Sequence, residues 1–157
     1  MRVKLLYLGV TKGSWVQIPL DPFIFMESFE EWLQYLKEKQ RLILVEGKKD
    51  KVALESLGIN NIQTIAQQPF YKVAESLQEK EIIILTDLDD EGKKLFAKLN
   101  QYCQQHGIKI DNKPREFLFK HTTLMQIEGL PRYLLTQNFK HGIKDVVFDA
   151  ARVKRGS

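Results

Sequence analysis

The sequence predicts an α/β fold in which a parallel β-sheet is flanked by helices on both faces. Short apolar runs without alternation, at residues 42–45 and 82–85, are typical of strands buried on both faces. Between these runs lie segments whose apolar residues recur at helical spacing, as expected for helices that connect parallel strands. Both runs end abruptly in acidic residues and a glycine. The carboxyl ends of such strands are where open α/β sheets bind ligands.

The first 27 residues carry the weakest pattern. Residues 2–10 alternate weakly and predict one strand, and Pro19 and Pro22 exclude a helix from the segment that follows. We interpret residues 1–27 as an N-terminal arm that packs on the domain or on a partner. A homodimer or a larger protein complex formed through this arm is therefore one expectation.

Helices and strands alternate regularly from residue 28 onwards. Ser28, followed by Glu31, is a capping box that predicts a packing helix with Trp32 on its buried face. The apolar spacing of the next helix places Val52 and Leu57 inward. The other predicted elements are strands at 41–45, 62–65, 81–86 and 108–110 and helices at 49–57, 69–77 and 91–106.

The pattern loosens after residue 110. A short helix is predicted from about Pro114, a second over residues 130–137, and a strand at 145–148, before the basic residues 152–155. The sequence thus divides into the arm (1–27), the α/β domain (28–137) and a basic C-terminal tail (138–157).

Composition indicates a cytoplasmic protein with no membrane partner. The single cysteine, Cys103, excludes an internal disulfide framework and fits a reducing compartment. Apolar stretches stay well short of the roughly 20 residues that a membrane-spanning helix needs, and no signal-peptide pattern opens the chain.

Positive charge is concentrated in the last third of the chain. Residues 107–157 contain 10 basic and 5 acidic residues, whereas residues 1–106 contain 14 and 15. Such asymmetry suggests a surface that faces nucleic acid, with Lys113, Arg115 and Lys120 as candidate contacts. Solvated basic residues that serve solubility would explain the same charge equally well.

The acids that follow the two strands have the chemistry of a magnesium site. Asp87 and Asp89 are two residues apart, so in extended backbone both side chains point to one side. Mg²⁺ prefers one or two such carboxylates and keeps several waters. Glu46 follows the other acid-tipped strand and is expected beside them, because the tips of neighbouring parallel strands converge. Gly92 permits a tight turn or a close approach to a ligand.

These two stretches resemble the two motifs of the Toprim domain, namely Glu46-Gly47 and Asp87-x-Asp89-x-x-Gly92. That Rossmann-like domain occurs in type IA and type II topoisomerases, bacterial primases, OLD-family nucleases, recombination-repair proteins and the ribonuclease that matures 5S ribosomal RNA. Residues 28–137 look most like the small stand-alone Toprim proteins of archaea and bacteria. The sequence departs from the topoisomerase version at Leu88, often proline there, and at Asp90, often arginine there.

The resemblance implies a function and a set of site residues. Asp87 and Asp89 would hold Mg²⁺, with Mn²⁺ as a substitute, and Glu46 would be a third ligand or the general acid/base. Glu128 is a further acid that could approach the metal. The substrate-binding residues implied or suggested by the sequence are Lys48, Lys49, Gly92, Lys113, Arg115 and Lys120.

The expected activity is Mg²⁺-dependent phosphodiester chemistry on nucleic acid, above all hydrolytic cleavage by a nuclease or ribonuclease. The alternative is a non-catalytic nucleic-acid-binding or assembly module. Neither the residues nor the resemblance chooses between RNA and DNA as the substrate.

Overall fold

The computed structural model describes residues 5–10, 14–19 and 26–141, and the side chains of residues 26–137. The first two segments form an antiparallel hairpin of β1 (Leu5–Val10) and β2 (Ser14–Pro19), with Leu5 paired to Pro19. The sequence predicted only the first of these strands. The predicted strand at 145–148 and the basic residues 152–155 lie outside the described residues.

The central sheet has four parallel strands in the order β4-β3-β5-β6. They are β3 (Ile43–Val45), β4 (Ile62–Thr64), β5 (Glu81–Ile84) and β6 (Lys109–Ile110). Ile43 pairs with Ile83 and Leu44 with Ile84, so the two strands that precede the acids are direct neighbours. The sheet order therefore brings the carboxyl ends of β3 and β5 side by side.

Helices cover both faces of this sheet, as the sequence predicted. They are α1 (Phe29–Lys39), α2 (Lys48–Ser56), α3 (Phe70–Ser76), α4 (Asp90–Gln105), α5 (Lys113–His121) and α6 (Leu130–His141), with a 3₁₀ turn at Ile127–Gly129. Alternate residues of β5 enter different cores: Ile83 packs with α1, α2, α5 and α6, whereas Ile82 packs with α3 and α4. Burial on both faces explains why these strands are continuous apolar runs.

Helix ends follow the local signals in the sequence. Ser28 Oγ accepts a hydrogen bond from the Glu31 N–H at 3.2 Å, and Trp32 is fully buried. Gly58 and Gly107 end α2 and α4 with φ of +80° and +72°, values that favour glycine. The inward placement of Val52 was wrong: its side chain is 38% exposed, because α2 turns the face that carries Ala53 and Leu54 to the core.

Within the described part of the chain, no helix combines the length and the apolar character needed to cross a membrane.

Candidate metal centre

Glu46 and Asp87 meet at the carboxyl edge of the sheet. Glu46 directly follows β3 and Asp87 lies just beyond β5, and Glu46 Oε1 accepts a hydrogen bond from the Asp87 N–H at 2.9 Å. Residues 41 positions apart in the sequence are thus in direct contact. The predicted convergence of these two acids follows from the adjacency of their strands.

Backbone amides fix the two aspartates of the second motif. Asp87 Oδ1 accepts from the Ile127 N–H at 2.9 Å. Asp89 is the N-cap of α4, in extended backbone, and its Oδ1 accepts from the Gly92 N–H at 2.8 Å. Each of these bonds uses one carboxylate oxygen. The second carboxylate oxygen, Oδ2, of Asp87 and of Asp89 takes no part in these two hydrogen bonds.

The segment before α6 is also joined to the motif loop by a hydrogen bond between backbone groups. The Leu88 N–H donates to the Met125 carbonyl at 2.8 Å, next to the bond between Ile127 and Asp87. The segment Met125–Ile127 therefore lies along the loop that carries the aspartates, and it brings Glu128 towards them.

Gly92 serves close packing of α4 against the end of β5. The Thr86 hydroxyl donates to the Gly92 carbonyl at 2.8 Å, and a Cβ built on Gly92 would lie closer than 3 Å to the Asp87 backbone. Real Cβ atoms do not show such separations, so a residue with a side chain would displace the helix. Gly92 was predicted to contact substrate. The structure gives it a different role, because it is buried and its N–H is bonded to Asp89.

Arg115 lies behind the motif loop and is only 4% exposed. Its guanidinium donates to the Thr86 carbonyl and, at 2.9 Å, to the Asp87 carbonyl. Burial lowers the pKa of Arg115 to about 10, so the group remains cationic at neutral pH. The sequence predicted Arg115 as a nucleic-acid contact. That prediction does not fit its placement, since the guanidinium faces the protein's own carbonyls.

Negative charge at this edge is only partly compensated. Burial, followed by repulsion from neighbouring carboxylates, raises the pKa of Glu46 and of Asp87, and Arg115 opposes the shift. Asp50 is 7% exposed, and burial together with the charges of Asp87, Glu46 and Glu128 raises its pKa to about 6. Glu128, a weaker candidate from the sequence, thus lies within electrostatic range of the cluster.

Asp50 was missed by the sequence analysis. Its Oδ2 accepts from the Gly47 N–H at 3.0 Å, closing the first turn of α2. An acid three residues after the glycine is the only local signal, and it is the same signal that an ordinary helix cap gives.

The donor set suits a hard divalent cation. Among residues 26–137, no three His, Cys, Asp or Glu side chains stand in an arrangement that could already hold a metal ion. Mg²⁺ does not need three, because it binds through one or two carboxylates and retains water. Half-buried carboxylates whose pKa is raised by burial and then by mutual repulsion fit a site that a cation would complete.

The predicted basic contacts are divided between two places. Lys48 and Lys49 are exposed in the first turn of α2, directly after Glu46-Gly47. Lys113 and Lys109 instead line a cleft together with Glu81, the first residue of β5. That cleft lies at the amino end of β5, whereas the carboxylates lie at its carboxyl end. Lys120 is exposed near the end of α5. The structure therefore brings Lys48 and Lys49, but not Lys113, to the edge that carries the carboxylates.

The raised pKa values predict that the metal-free protein loses stability as the pH rises. The folded state binds the Asp50 proton more tightly than the unfolded state, so the stabilisation is complete below about pH 4 and is lost as the pH passes about 6. After discounting for solvent screening, we expect a loss of about 1 kcal/mol, or roughly 2–4 °C in Tm, between pH 5 and pH 7.5. Thermal unfolding in EDTA measures it. Asp50→Asn, whose amide oxygen still accepts the Gly47 N–H, should flatten the profile, and a wild-type Tm that rises over this interval would contradict the assignment.

Comparison with known proteins agrees with this geometry. The family model of the Toprim domain matches residues 40–112, from just before β3 to just after β6. The chain is 34% identical to the UPF0292 protein of Methanocaldococcus jannaschii over 119 residues, covering 69% of this chain and 93% of that protein. It is also 34% identical to the UPF0292 protein of Methanosarcina barkeri, covering 74% and 87%. A solved structure of a protein from Aquifex aeolicus superposes with a TM-score of 0.61 at 31% identity, covering 66% of this chain and 98% of that one.

The parallel sheet with its acid-tipped neighbouring strands defines a small protein of the Toprim class. Toprim domains generally bind divalent metal ions, and this class indicates a metal-dependent function related to nucleic acid. Within the class, the chain belongs to the UPF0292 family.

Proposed function

We propose that the protein cleaves nucleic acid by Mg²⁺-dependent hydrolysis of a phosphodiester bond. The observation that carries the proposal is the hydrogen bond from the Asp87 N–H to Glu46 Oε1, within a cluster of carboxylates at the carboxyl edge of a Toprim sheet. Phosphodiester chemistry needs charge stabilisation and a group that moves a proton, and this cluster offers residues for both.

Asp87 and Asp89 are the residues that would hold the cation. Each is fixed by one carboxylate oxygen to a backbone amide, which leaves the other oxygen for a ligand. When bound, Mg²⁺, or Mn²⁺ in its place, supplies charge stabilisation to the phosphate and lowers the pKa of water. The exposed Lys48 and Lys49 would contact the phosphate backbone at the same edge.

Glu46 is assigned the transfer of a proton. Burial raises the pKa of its carboxyl above the ordinary value, which brings the group nearer to the working pH of a general acid or base. Its Oε1 is held by the Asp87 amide, so its position relative to the metal residues is fixed before substrate binds. The other role open to Glu46 is that of a third metal ligand.

Arg115 fixes the backbone of the loop that carries Asp87 and Asp89. It donates hydrogen bonds to the Thr86 and Asp87 carbonyls, and its positive charge opposes the rise in the pKa of Glu46 and Asp87 that burial causes. Its hydrogen bonds go to backbone carbonyls of the loop. We therefore regard it as a positioning residue.

Cleavage assays with structured RNA and structured DNA test the proposal. Wild-type protein should cut one of the two in Mg²⁺ or Mn²⁺ and neither in EDTA. Failure to cleave either substrate with any divalent metal, despite binding, would instead support a non-catalytic nucleic-acid-binding module.

The salt dependence of binding tests where the phosphate backbone lies. If Lys48 and Lys49 each neutralise one phosphate, replacing both with alanine should flatten the plot of log K against log salt by up to about 1.8 on duplex DNA, or about 1.4 on a single strand. The matched control replaces Lys109 and Lys113, which line the cleft at the other end of β5. A larger change in the control than in the test pair would move the binding path to that cleft.

A further inference from the structure

Three side chains beside the carboxylates form a continuous stack. The guanidinium carbon of Arg115 lies 4.7 Å from the ring centre of Phe96 and 5.0 Å from that of Phe119. Arg115 is 4% exposed, whereas Phe119 is 42% exposed. The buried guanidinium therefore lies between a half-buried ring, Phe96, and an exposed one, Phe119.

Contacts on both sides place this ring next to the motif loop. Arg115, which packs on the ring, donates to the Asp87 carbonyl at 2.9 Å. Lys93 lies in the first turn of α4, with its N–H bonded to the Asp89 carbonyl at 2.9 Å. The Lys93 ammonium stands 5.6 Å from the centre of the Phe119 ring. The ring is thus packed against two residues that are hydrogen-bonded to the backbone carbonyls of Asp87 and Asp89.

We propose that Phe119 is a stacking platform for an unpaired base of the nucleic acid bound at the carboxylate edge. Every base has a π-face, so an exposed ring accepts bases with little regard to sequence. A ring of this kind cannot reach the face of a base inside a continuous duplex. The substrate class that the surface selects is therefore a single strand or a locally unpaired segment, of RNA or DNA.

The neighbouring charges fit the same occupant. Lys93 is exposed, and its ammonium is a suitable partner for the phosphate that is attached to a stacked base. Arg115 donates hydrogen bonds to two backbone carbonyls of the motif loop. These bonds fix the position of the guanidinium on which the Phe119 ring packs. A protein partner that covers Phe119 would need an acidic or apolar surface instead, and would not depend on base pairing.

The inference rests on the proposed function for the choice of nucleic acid as the ligand. Its test measures binding and does not require cleavage. Affinity is measured by fluorescence anisotropy in EDTA, so that no cleavage occurs, with labelled single-stranded RNA and DNA of one sequence and with the matching blunt duplexes. Base–aromatic stacking is lost on alanine substitution with an effect of roughly 5- to 150-fold in Kd. We expect Phe119→Ala to weaken single-strand binding within this range and to leave duplex binding nearly unchanged.

Two further variants separate stacking from folding. Phe119→Leu keeps an apolar side chain over Arg115 but removes the aromatic face, and should lose the same affinity as the alanine variant. Tyr71→Ala removes another exposed aromatic residue, 46% exposed on α3, and should leave the affinity at the wild-type value. Thermal unfolding of all variants checks that each is folded.

The outcomes distinguish the two proposals. A wild-type protein that prefers the duplex or binds no single strand, or a Phe119→Leu variant with wild-type affinity, would overturn the stacking platform, even if the protein cleaves with Mg²⁺. Single-strand binding that depends on Phe119, in a protein that cleaves nothing with any metal, would support the platform and remove the proposed hydrolysis.

Discussion

Glu46→Gln should abolish cleavage while leaving nucleic-acid affinity close to that of the wild type. General acid–base catalysis contributes roughly 10²- to 10⁴-fold to rate, and the amide of glutamine cannot replace it. The local structure should survive, because the glutamine side-chain oxygen can still accept the hydrogen bond from the Asp87 N–H. The loss is therefore expected in the rate of the chemical step.

Single-turnover cleavage with saturating protein measures this rate, and anisotropy in EDTA measures the affinity. Glu55→Gln is a matched control, since Glu55 is a partly exposed glutamate near the end of α2 that pairs with Lys51. If Glu46→Gln also abolishes Mn²⁺ binding, Glu46 is a metal ligand. A variant that cleaves at a rate within about threefold of the wild type, well short of the expected loss, would exclude both roles.

The double variant Asp87→Asn, Asp89→Asn should lose divalent-metal binding and, with it, cleavage. Both asparagine side chains can still accept the existing bonds from Ile127 and Gly92, and asparagine caps a helix as well as aspartate does. Removing two carboxylates that repel each other should also stabilise the metal-free protein at neutral pH. The variant should therefore be folded, more stable than the wild type in EDTA, and insensitive to metal.

Calorimetric titration with Mn²⁺ and thermal unfolding with and without Mn²⁺ measure these effects. A ligand at 100 times its Kd stabilises the folded state by about 2.7 kcal/mol, which the wild type should show and the double variant should not. Asp90→Asn is the control, because Asp90 is an exposed acid in the same turn of α4. Unchanged Mn²⁺ affinity in the double variant would place the ligands elsewhere.

The parallel sheet and the meeting of Glu46 with Asp87 could be predicted because both depend on short-range pattern. Apolar runs at 42–45 and 82–85 have no polar alternation, and only strands covered on both faces accommodate them. Once those strands are neighbours, the acids that follow them must share an edge. The likeness to the Toprim motifs then made these acids the candidate site residues.

Arg115, Asp50 and Phe119 could not be assigned from the sequence. In a basic stretch, a buried arginine and an exposed one look alike, and the burial of Arg115 depends on carbonyls 28 and 29 residues away. Asp50 has the position of a helix cap, and its raised pKa arises from acids on other elements. Phe119 was not singled out from the sequence, and its exposure follows from the way α5 packs.

Two hydrogen bonds between the segment Met125–Ile127 and the motif loop, one to the Leu88 N–H and one to the Asp87 carboxylate, bear on where this domain ends. That segment lies beyond residues 40–112, the part recognised as Toprim. A protein cut at residue 112 would leave Asp87 Oδ1 without its amide donor and would strip α5 and α6 from the core around Trp32. The smallest segment that could fold in another protein with the carboxylate cluster intact therefore includes α5, the segment Met125–Ile127 and α6.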